Sequence, residues 1–265
     1  MESSGLNDLI RLRLRPHAFY MATGDEAISR LCSQRATIMA SLIHFSLDPF
    51  SRRIRLALAE HGSPVELIEE EPWDSRSDIL SLNPAGTLPI YVEDNHTVIC
   101  GVEAIGEYIE ETRNGRASLL PEGAVARAEV RRLVGWFDTK FYAEVSEPVI
   151  GEKIVRRFLG REAGGGAPDM GRVRSALAKL RQHLDYIGKL AEARGWLAGE
   201  TLSLADLAAA AHLSVADYLG EVPWNDDETV KNWYARLKSR PAFRPLLADT
   251  LAGLPPSKSY ADLDF

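Results

Sequence analysis

Two hydroxyls and one carboxylate lie close together in the segment Ser46 to Arg53, which reads SLDPFSRR. A serine hydroxyl becomes a nucleophile when a neighbouring group accepts its proton, so Ser46 and Ser51 are candidate nucleophiles. Asp48 has a competing structural role, because aspartate followed by proline is typical of a helix N-cap and first helical position. As an N-cap, Asp48 would accept the backbone N–H of Ser51, and this structural interpretation is favoured for both residues.

The elements that would position these side chains are a strand and a helix. Residues Leu42 to Ser46 form a short apolar run that predicts a buried strand. His44 lies within that run, so it is expected to be a packed core or cleft residue and not a base. After Asp48, apolar side chains recur at helical spacing at Phe50, Ile54, Ala57 and Leu58. Gly62 is expected to close the helix.

The next strands and helices complete a small α/β unit. A strand is predicted over Val65 to Ile68, and two more over Leu88 to Val92 and Thr97 to Cys100 would form a hairpin. Helices are predicted over Ser77 to Leu82 and Val102 to Glu111. The predicted order is therefore β-α-β-α-β-β-α.

The remainder of the chain is predicted to be helical. Residues 114 to 123 contain Gly115, Pro121 and Gly123, a composition typical of a linker. Helices are then expected over 124–145, 173–193, 226–238 and 241–249, with a flexible loop over 161–171 and a tail over 251–265.

The sequence around Ser203 has the pattern of a capping box, which predicts the start of a helix there. Ser203 can cap the N–H of Asp206, whose carboxylate can reach back to the N–H of Ser203, while Leu202 and Leu207 are placed for a hydrophobic staple. This capping box is predicted to be structural and not catalytic.

Composition excludes several function classes. The chain has 265 residues, 45% of them hydrophobic, and a net charge of -7, which argues against general nucleic-acid binding. Its two cysteines, Cys32 and Cys100, cannot form a thiolate metal site or a disulfide framework, so we expect no metal and a cytoplasmic location. The chain contains no run of eighteen apolar residues, the length that would predict a membrane span.

Residues 1–38 have a sequence pattern unlike that of the rest of the chain. They are interpreted as an extension that is either disordered or the result of an early start codon.

Two motifs carry a family resemblance. The segment Asn83 to Pro89 reads NPAGTLP, and the capping box at Ser203 follows Trp196 and Leu197. In these motifs and in its element order, the chain resembles the glutathione S-transferase superfamily over residues 41–250. The resemblance implies an α/β thioredoxin-like N-terminal domain (39–113), a linker (114–123), an all-α C-terminal helical domain (124–250) and a tail (251–265). It also implies a cis peptide bond before Pro89.

The resemblance places a degenerate glutathione cleft at Asp48, Phe50, Leu88, Pro89, Gly101 and Val102. Asp48 occupies the slot of the activating hydroxyl or thiol, where its negative charge would raise the pKa of the glutathione thiol. Gly101 and Val102 stand where active members carry the Glu-Ser pair that holds the γ-glutamyl end. We therefore expect poor glutathione binding, no catalytic residue and no cofactor.

Within the superfamily, the chain resembles the FtsZ-binding proteins of bacterial cell division. The stretches that carry this resemblance include FDTKFYAEV, WYARLKSRPAFRPLLAD and the ending YADLDF. It implies a non-enzymatic homodimer that binds FtsZ filaments, modulates their curvature and is recruited to the division site. The alternative is an active glutathione transferase or glutathione-dependent isomerase that uses Ser46 or Ser51.

Three groups of residues are candidates for contact with the partner. Basic residues cluster around Pro241 and could approach an acidic filament; these are Lys238, Arg240 and Arg244. Trp73, after the second strand, could either contact the partner or pack internally. In the tail, Asp262, Leu263 and Phe265 offer charge and apolar surface, and we expect that tail to be ordered or engaged by the partner.

Overall fold

The structure of the protein is a computed structural model that describes residues 39–73, 77–113 and 118–263. The predicted extension over residues 1–38, part of the predicted linker and Phe265 lie outside these described residues.

The first unit is built on a four-stranded mixed sheet. Its strands are β1 (Ser41–His44), β2 (Glu66–Glu69), β3 (Ile90–Val92) and β4 (Val98–Cys100). The strand order is β2-β1-β3-β4. β1 runs parallel to β2, whereas β3 is antiparallel to both of its neighbours. This pairing follows from the connections, since a short turn can join antiparallel strands but a parallel pair needs a crossover helix.

Three helices accompany the sheet: α1 (Pro49–Glu60), α2 (Ser77–Leu82) and α3 (Val102–Thr112). α1 begins after Asp48, whose Oδ2 accepts the backbone N–H of Ser51 at 2.7 Å. It ends before Gly62, which has a φ of 66°, a left-handed conformation that glycine adopts without steric cost. The predicted order β-α-β-α-β-β-α is confirmed, as is the cis peptide bond between Leu88 and Pro89.

The second unit is helical. Its elements are α4 (Ala124–Gly135), the π-helical π1 (Trp136–Ser146), α5 (Glu147–Ile150), the π-helical π2 (Gly151–Val155), α6 (Arg156–Phe158), a 3₁₀ turn (Arg161–Ala163), α7 (Met170–Arg194), α8 (Leu204–Tyr218), α9 (Glu228–Lys238) and α10 (Arg244–Leu247).

The helix predicted over 124–145 is α-helical only as far as Gly135. Beyond it, π1 and π2 alternate with short α-helical turns. Two local features accompany the change: the Thr139 hydroxyl donates to the Gly135 carbonyl at 2.5 Å, and Pro148 has no N–H for the helical ladder. Hydrophobic spacing predicts that a helix is present, but it does not distinguish these hydrogen-bonding patterns.

α8 is the centre of the helical unit, and all of its residues are buried. It starts with the predicted capping box between Ser203 and Asp206, which is confirmed. The Asp206 carboxylate also accepts the backbone N–H of Leu197 at 2.9 Å and the indole N–H of Trp233 at 3.0 Å. The structural interpretation of this motif is therefore correct, because these bonds tie three segments together.

α1 joins the two units because it has two apolar faces. Ile54 and Leu58 pack with the sheet, whereas Leu56 and Ala57 pack with the helical core. None of the helices in the described ranges is long and apolar enough to cross a membrane.

Candidate functional site

A cavity of about 260 Å³ lies between the β1–α1 turn and the helical unit. Its lining residues are Phe45, Asp48, Phe50, Glu70, Glu71, Pro72, Ile79, Gly86, Thr87, Leu88, Tyr142, Ile150 and Val155. Of the six residues expected in a degenerate cleft, Asp48, Phe50 and Leu88 line this cavity. Pro89, Gly101 and Val102 are not among its lining residues, so the structure brings only part of that set together.

Asp48 is fixed at the cavity wall by Ser51. Its Oδ2 accepts both the backbone N–H and the hydroxyl of Ser51, each at 2.7 Å. Burial raises the pKa of Asp48 to about 6, although these hydrogen bonds act in the opposite direction. A carboxylate held in this way at neutral pH presents a fixed negative charge to whatever enters the cavity.

The two candidate hydroxyls do not line the cavity. Ser51 is completely buried, and its hydroxyl donates to Asp48 while its oxygen faces the backbone N–H of Phe45 at 3.4 Å. The backbone of Ser46 is held by Glu69 Oε1, at 2.7 Å from its nitrogen, and by Arg52 Nε, at 2.6 Å from its oxygen. Both serines therefore take part in local structure in this conformation.

His44 is buried beside this turn, as expected for a core or cleft residue. Burial lowers its pKa to about 4, and the nearby Arg55 acts in the same direction. Its Nε2 lies 3.3 Å from Glu69 Oε2, and with this pKa the imidazole is neutral at pH 7, so the contact is not an ion pair there.

Gly101 and Val102, the N-cap and first residue of α3, carry no polar side chain. Gly101 is the exposed N-cap residue, with a φ of 89° and no side-chain capping bond. The carbonyl of Val102 accepts a hydrogen bond from Arg53 Nη2 at 3.0 Å. From Gly101 and Val102, a ligand at this helix start would contact only backbone groups and hydrocarbon. Weak glutathione binding stays a prediction.

The Asp48→Asn variant is expected to be more stable than the parent at neutral pH. The pKa of Asp48 rises from 3.8 to about 6 on folding, so the folded state binds the Asp48 proton more tightly than the unfolded state does. The contribution of Asp48 to folding stability therefore falls as the pH rises from about 4 to about 6. Asparagine keeps the N-cap without the buried charge. We expect a gain of about 1 to 3 kcal/mol in the free energy of unfolding near pH 7.5 and almost none near pH 4.

Urea denaturation at several pH values measures this difference. Asp226→Asn is the matched control, since Asp226 is an exposed carboxylate on another part of the surface. A loss of stability in Asp48→Asn at neutral pH, or a gain independent of pH, would contradict the prediction.

Trp73 packs internally on one side and is partly exposed on the other. Its ring stacks on Phe158 with 4.8 Å between centroids and meets Phe45 edge-on at 5.4 Å. Its indole N–H donates to Glu71 Oε2 at 2.7 Å. Trp73 can therefore pack internally and still expose part of its side chain to a partner.

The interpretation of Lys238 as part of an exposed basic cluster is wrong. Lys238 has no exposed surface, and its ammonium lies 3.2 Å from Asp217 Oδ2. Arg240 forms a two-pronged ion pair with Glu60 of α1, at 2.5 and 2.8 Å, while Arg244 is exposed. Lys238 lies on the buried side of α9 together with Tyr234 and Leu237.

The tail is anchored through Tyr260, which is completely buried. Asp262 and Leu263 follow it on the surface. The burial of Tyr260 is consistent with the prediction of a tail that is ordered or engaged by the partner, and Phe265 lies outside the described residues.

Sequence reasoning missed a buried polar network centred on Arg52. The Arg52 guanidinium donates to Ser214 Oγ at 2.8 Å, to Tyr260 Oη at 3.0 Å and to Asp249 Oδ2 at 3.2 Å. Arg55 also binds Asp249, with two bonds of 2.9 Å. The available signal was the unusual set of arginines in an otherwise apolar helix, since buried arginines require partners.

A second buried polar chain lies deeper between the two units. Arg53 pairs with Asp138, His212 Nε2 lies 3.4 Å from Asp138 Oδ1, and His212 Nδ1 lies 2.8 Å from Ser146 Oγ. Burial lowers the pKa of His212. All four side chains are buried, so this series of polar contacts connects α1 to the helical unit and offers no accessible reacting atom.

Across the described part of the polypeptide, no group of three or more His, Cys, Asp or Glu side chains could hold a metal ion.

Comparison with known proteins gives consistent matches over both units. Family models of the glutathione S-transferase N-terminal and C-terminal domains match residues 42–117 and 124–236. FtsZ-localized protein A of Caulobacter vibrioides is 48% identical over 232 residues, which are 86% of this chain and 100% of that protein.

Solved structures agree with this assignment. A crystal structure of a glutathione S-transferase from Sinorhizobium meliloti has 49% identity and a TM-score of 0.83, and that of FzlA from C. crescentus has 48% identity and a TM-score of 0.82. Each alignment covers 86% of this chain and 100% of the other. This chain belongs to the glutathione S-transferase family.

Proposed function

We propose that this protein is a non-enzymatic member of the family that binds FtsZ filaments and modulates their curvature during bacterial cell division. It acts in the cytoplasm as a homodimer, with α3 and α4 at the dimer interface, and is recruited to the division site. The observation that carries the proposal is the 48% identity that spans the whole length of FtsZ-localized protein A.

The chemistry of the cavity supports a non-enzymatic role. A thiolate brought to the start of α1 would meet the carboxylate of Asp48, and like charges at short range raise the pKa of a thiol. Ser46 and Ser51, the alternative nucleophiles, do not line the cavity. The chain's own residues therefore favour binding over thiol activation, and no cofactor is needed for that function.

The surface also supports a partner site. Trp73 and Tyr260 belong to the same hydrophobic cluster, in which Tyr260 is buried and Trp73 packs at the edge. The exposed residues Asp262 and Leu263 follow Tyr260 directly. We propose that Trp73 and the tail, including Phe265, form the FtsZ contact, with the exposed Arg244 and the partly exposed Arg240 at its margin.

The Asp262→Lys variant is expected to bind FtsZ filaments at least tenfold more weakly than the parent. Asp262 is exposed, but its charge also acts on the buried Lys238 ammonium, so the melting temperature of the variant is measured beside its binding. Co-pelleting with polymerised FtsZ measures binding, and electron microscopy of the filaments measures curvature. Asp226→Lys reverses an exposed charge elsewhere and is the matched control.

Two results would count against the proposal. If the parent protein does not co-pellet with FtsZ, the function is wrong. If the parent binds but Asp262→Lys binds equally well, the partner is right and the assigned surface is wrong. Sedimentation of the free protein tests the homodimer separately.

The alternative function is glutathione-dependent transfer or isomerisation through Ser46 or Ser51. It is favoured by the similarity to the S. meliloti structure, which is described as a glutathione S-transferase. Retention on immobilised glutathione together with conjugation of a chlorinated aromatic substrate, both lost in Ser46→Ala or Ser51→Ala, would establish this alternative.

A further inference from the structure

The cavity beside Asp48 combines negative charge with aromatic walls. Its charged lining residues are Asp48, Glu70 and Glu71, and the described residues that line it include no lysine, arginine or histidine. Three aromatic rings complete the wall, those of Phe45, Phe50 and Tyr142. Carboxylates and aromatic faces both attract cations, the first by direct charge and the second through the ring quadrupole.

The negative charge is held in a defined place. Asp48 is partly exposed, and both donors from Ser51 bind the same oxygen, Oδ2. Because a backbone N–H and a neighbouring hydroxyl fix the side chain, the carboxylate pays little rotamer entropy when a ligand binds. A preorganised charge of this kind binds an opposite charge more tightly than a mobile one does.

The aromatic rings lie next to that charge. The Phe50 and Tyr142 rings are 4.7 Å apart at an angle of 45°. Tyr142 and Asp48 both line the cavity, and burial together with the Asp48 charge raises the pKa of Tyr142. An ammonium group in the cavity would lie near the Asp48 carboxylate and these aromatic rings.

We propose that this cavity binds a small organic cation, a primary or quaternary ammonium group carried on one apolar or aromatic body. The cavity volume of about 260 Å³ is close to the lower end of the range for small-molecule sites, about 300 to 1,000 Å³. A single ring or short alkyl chain therefore suits it better than a peptide. The ammonium group pairs with Asp48, and the apolar body contacts Phe50 and Leu88.

The same geometry disfavours anionic ligands. A carboxylate or thiolate in the cavity would lie beside the carboxylates of Asp48 and Glu71. Repulsion between like charges is strong where water is partly excluded. Glutathione carries a net negative charge and should not compete with the cation.

Isothermal titration calorimetry with three probes of similar shape tests the proposal. The probes are 2-phenylethylamine, 2-phenylethanol and phenylacetate, which are cationic, neutral and anionic near pH 7.5. The amine is expected to bind at least tenfold more tightly than the alcohol and the acid. Benzyltrimethylammonium tests whether a quaternary cation binds as well. Absence of saturable amine binding, or equal binding of the acid, would overturn the proposal.

Asp48→Asn provides the decisive variant, because it keeps the helix cap and is expected to fold at least as stably as the parent. Its preference for the amine over the alcohol should fall at least tenfold. Asp226→Asn, an exposed acidic residue outside the cavity, should bind the amine as the parent does. An unchanged preference in Asp48→Asn would assign the binding to another site and overturn the proposal.

Lowering the pH gives a second, independent readout. The titratable groups around Asp48 are Glu70 and Glu71 after β2 and Asp138 and Tyr142 on π1. Amine binding should weaken as the pH falls from about 7.5 to about 5, since the Asp48 carboxylate, whose pKa is raised to about 6, becomes protonated. The weakening should be smaller in Asp48→Asn. None of these measurements involves FtsZ, so they succeed or fail independently of the proposed function.

Discussion

The Lys238→Glu variant is expected to lose at least about 3 kcal/mol of folding stability, because a buried charge left without its partner costs about 3 to 5 kcal/mol. Lys238 is completely buried at the end of α9, and its ammonium donates to Asp217 Oδ2 and to the Ser259 carbonyl, each at 3.2 Å. Glutamate would place a second carboxylate against Asp217 and remove the bond to the tail.

Burial of the charged groups of Lys238 and Asp217 carries a desolvation cost. Burial lowers the pKa of Lys238 and raises the pKa of Asp217, and the attraction between the two groups opposes both shifts. The Trp224 indole N–H also donates to Asp217, at 2.9 Å. The site is therefore built for one positive and one negative group, and two negative groups cannot be accommodated.

Urea denaturation and melting temperature measure this effect. Arg244→Glu is the matched control, because it reverses a basic charge at an exposed position, and it should change stability by less than about 0.5 kcal/mol. The double variant Lys238→Met with Asp217→Asn should recover much of the loss, since it removes both buried charges. A Lys238→Glu protein as stable as the parent would contradict this account.

This prediction bears on experiments with the partner. A loss of FtsZ co-pelleting in Lys238→Glu would report unfolding and release of the tail, not a direct contact. Arg240→Glu has a similar weakness, because the new carboxylate would face Glu60 across the present ion pair. Arg244→Glu is a better test of the surface, since Arg244 is exposed. Asp262→Lys is interpreted together with its melting temperature, because the Asp262 charge also acts on Lys238.

The Tyr260→Ala variant is expected to release the C-terminal tail and to lose FtsZ co-pelleting. The Tyr260 phenol accepts a hydrogen bond from Arg52 and donates to the Leu246 carbonyl at 2.8 Å. Its ring meets that of Tyr218 edge-on at 5.2 Å. Replacing a buried aromatic residue with alanine costs about 3 to 5 kcal/mol, and the end of the chain can detach locally instead of unfolding the whole protein.

Limited proteolysis distinguishes local release from global unfolding. In Tyr260→Ala, cleavage after residue 250 should be at least tenfold faster than in the parent, while the circular dichroism spectrum stays close to that of the parent. Tyr260→Phe keeps the ring and loses hydrogen bonds worth about 1 kcal/mol each, so it should retain the tail and most of the binding. A Tyr260→Ala protein that still co-pellets normally would show that the anchored tail is not needed for binding FtsZ.

Local signals were sufficient to predict the order of the elements. The Asp48-Pro49 pair marks the start of α1, and the Ser203 to Asp206 capping box marks the start of α8, because both depend on hydrogen bonds between residues three apart. The NPAGTLP motif indicated the cis bond at Pro89 through the family resemblance. Departures in the described residues include element boundaries and the π-helical stretches, which hydrophobic spacing does not distinguish from α-helix. They also include α5 and α6, where no helix was predicted, and the 3₁₀ turn within the predicted loop.

The candidate site was only partly predictable. The family resemblance predicted a cleft that includes Asp48, Phe50 and Leu88, and these three residues line the cavity. Tyr142 also lines it but was not predicted there, because it lies in a helix almost a hundred residues later in the chain. Lys238 was misplaced for a related reason. Ser239 and Arg240 follow it, and nothing within a few residues reveals that Asp217 faces it from α8.

By itself, the sequence determined the order of strands and helices in the first unit, the starts of α1 and α8, and that a carboxylate caps α1. These properties depend on residue types and on contacts within a few positions. Only the tertiary structure decided which charges are buried. Arg52, for example, meets Tyr260 across 208 positions of sequence, and the pKa, accessibility and partner of a side chain are set by such distant neighbours and by the water that they exclude.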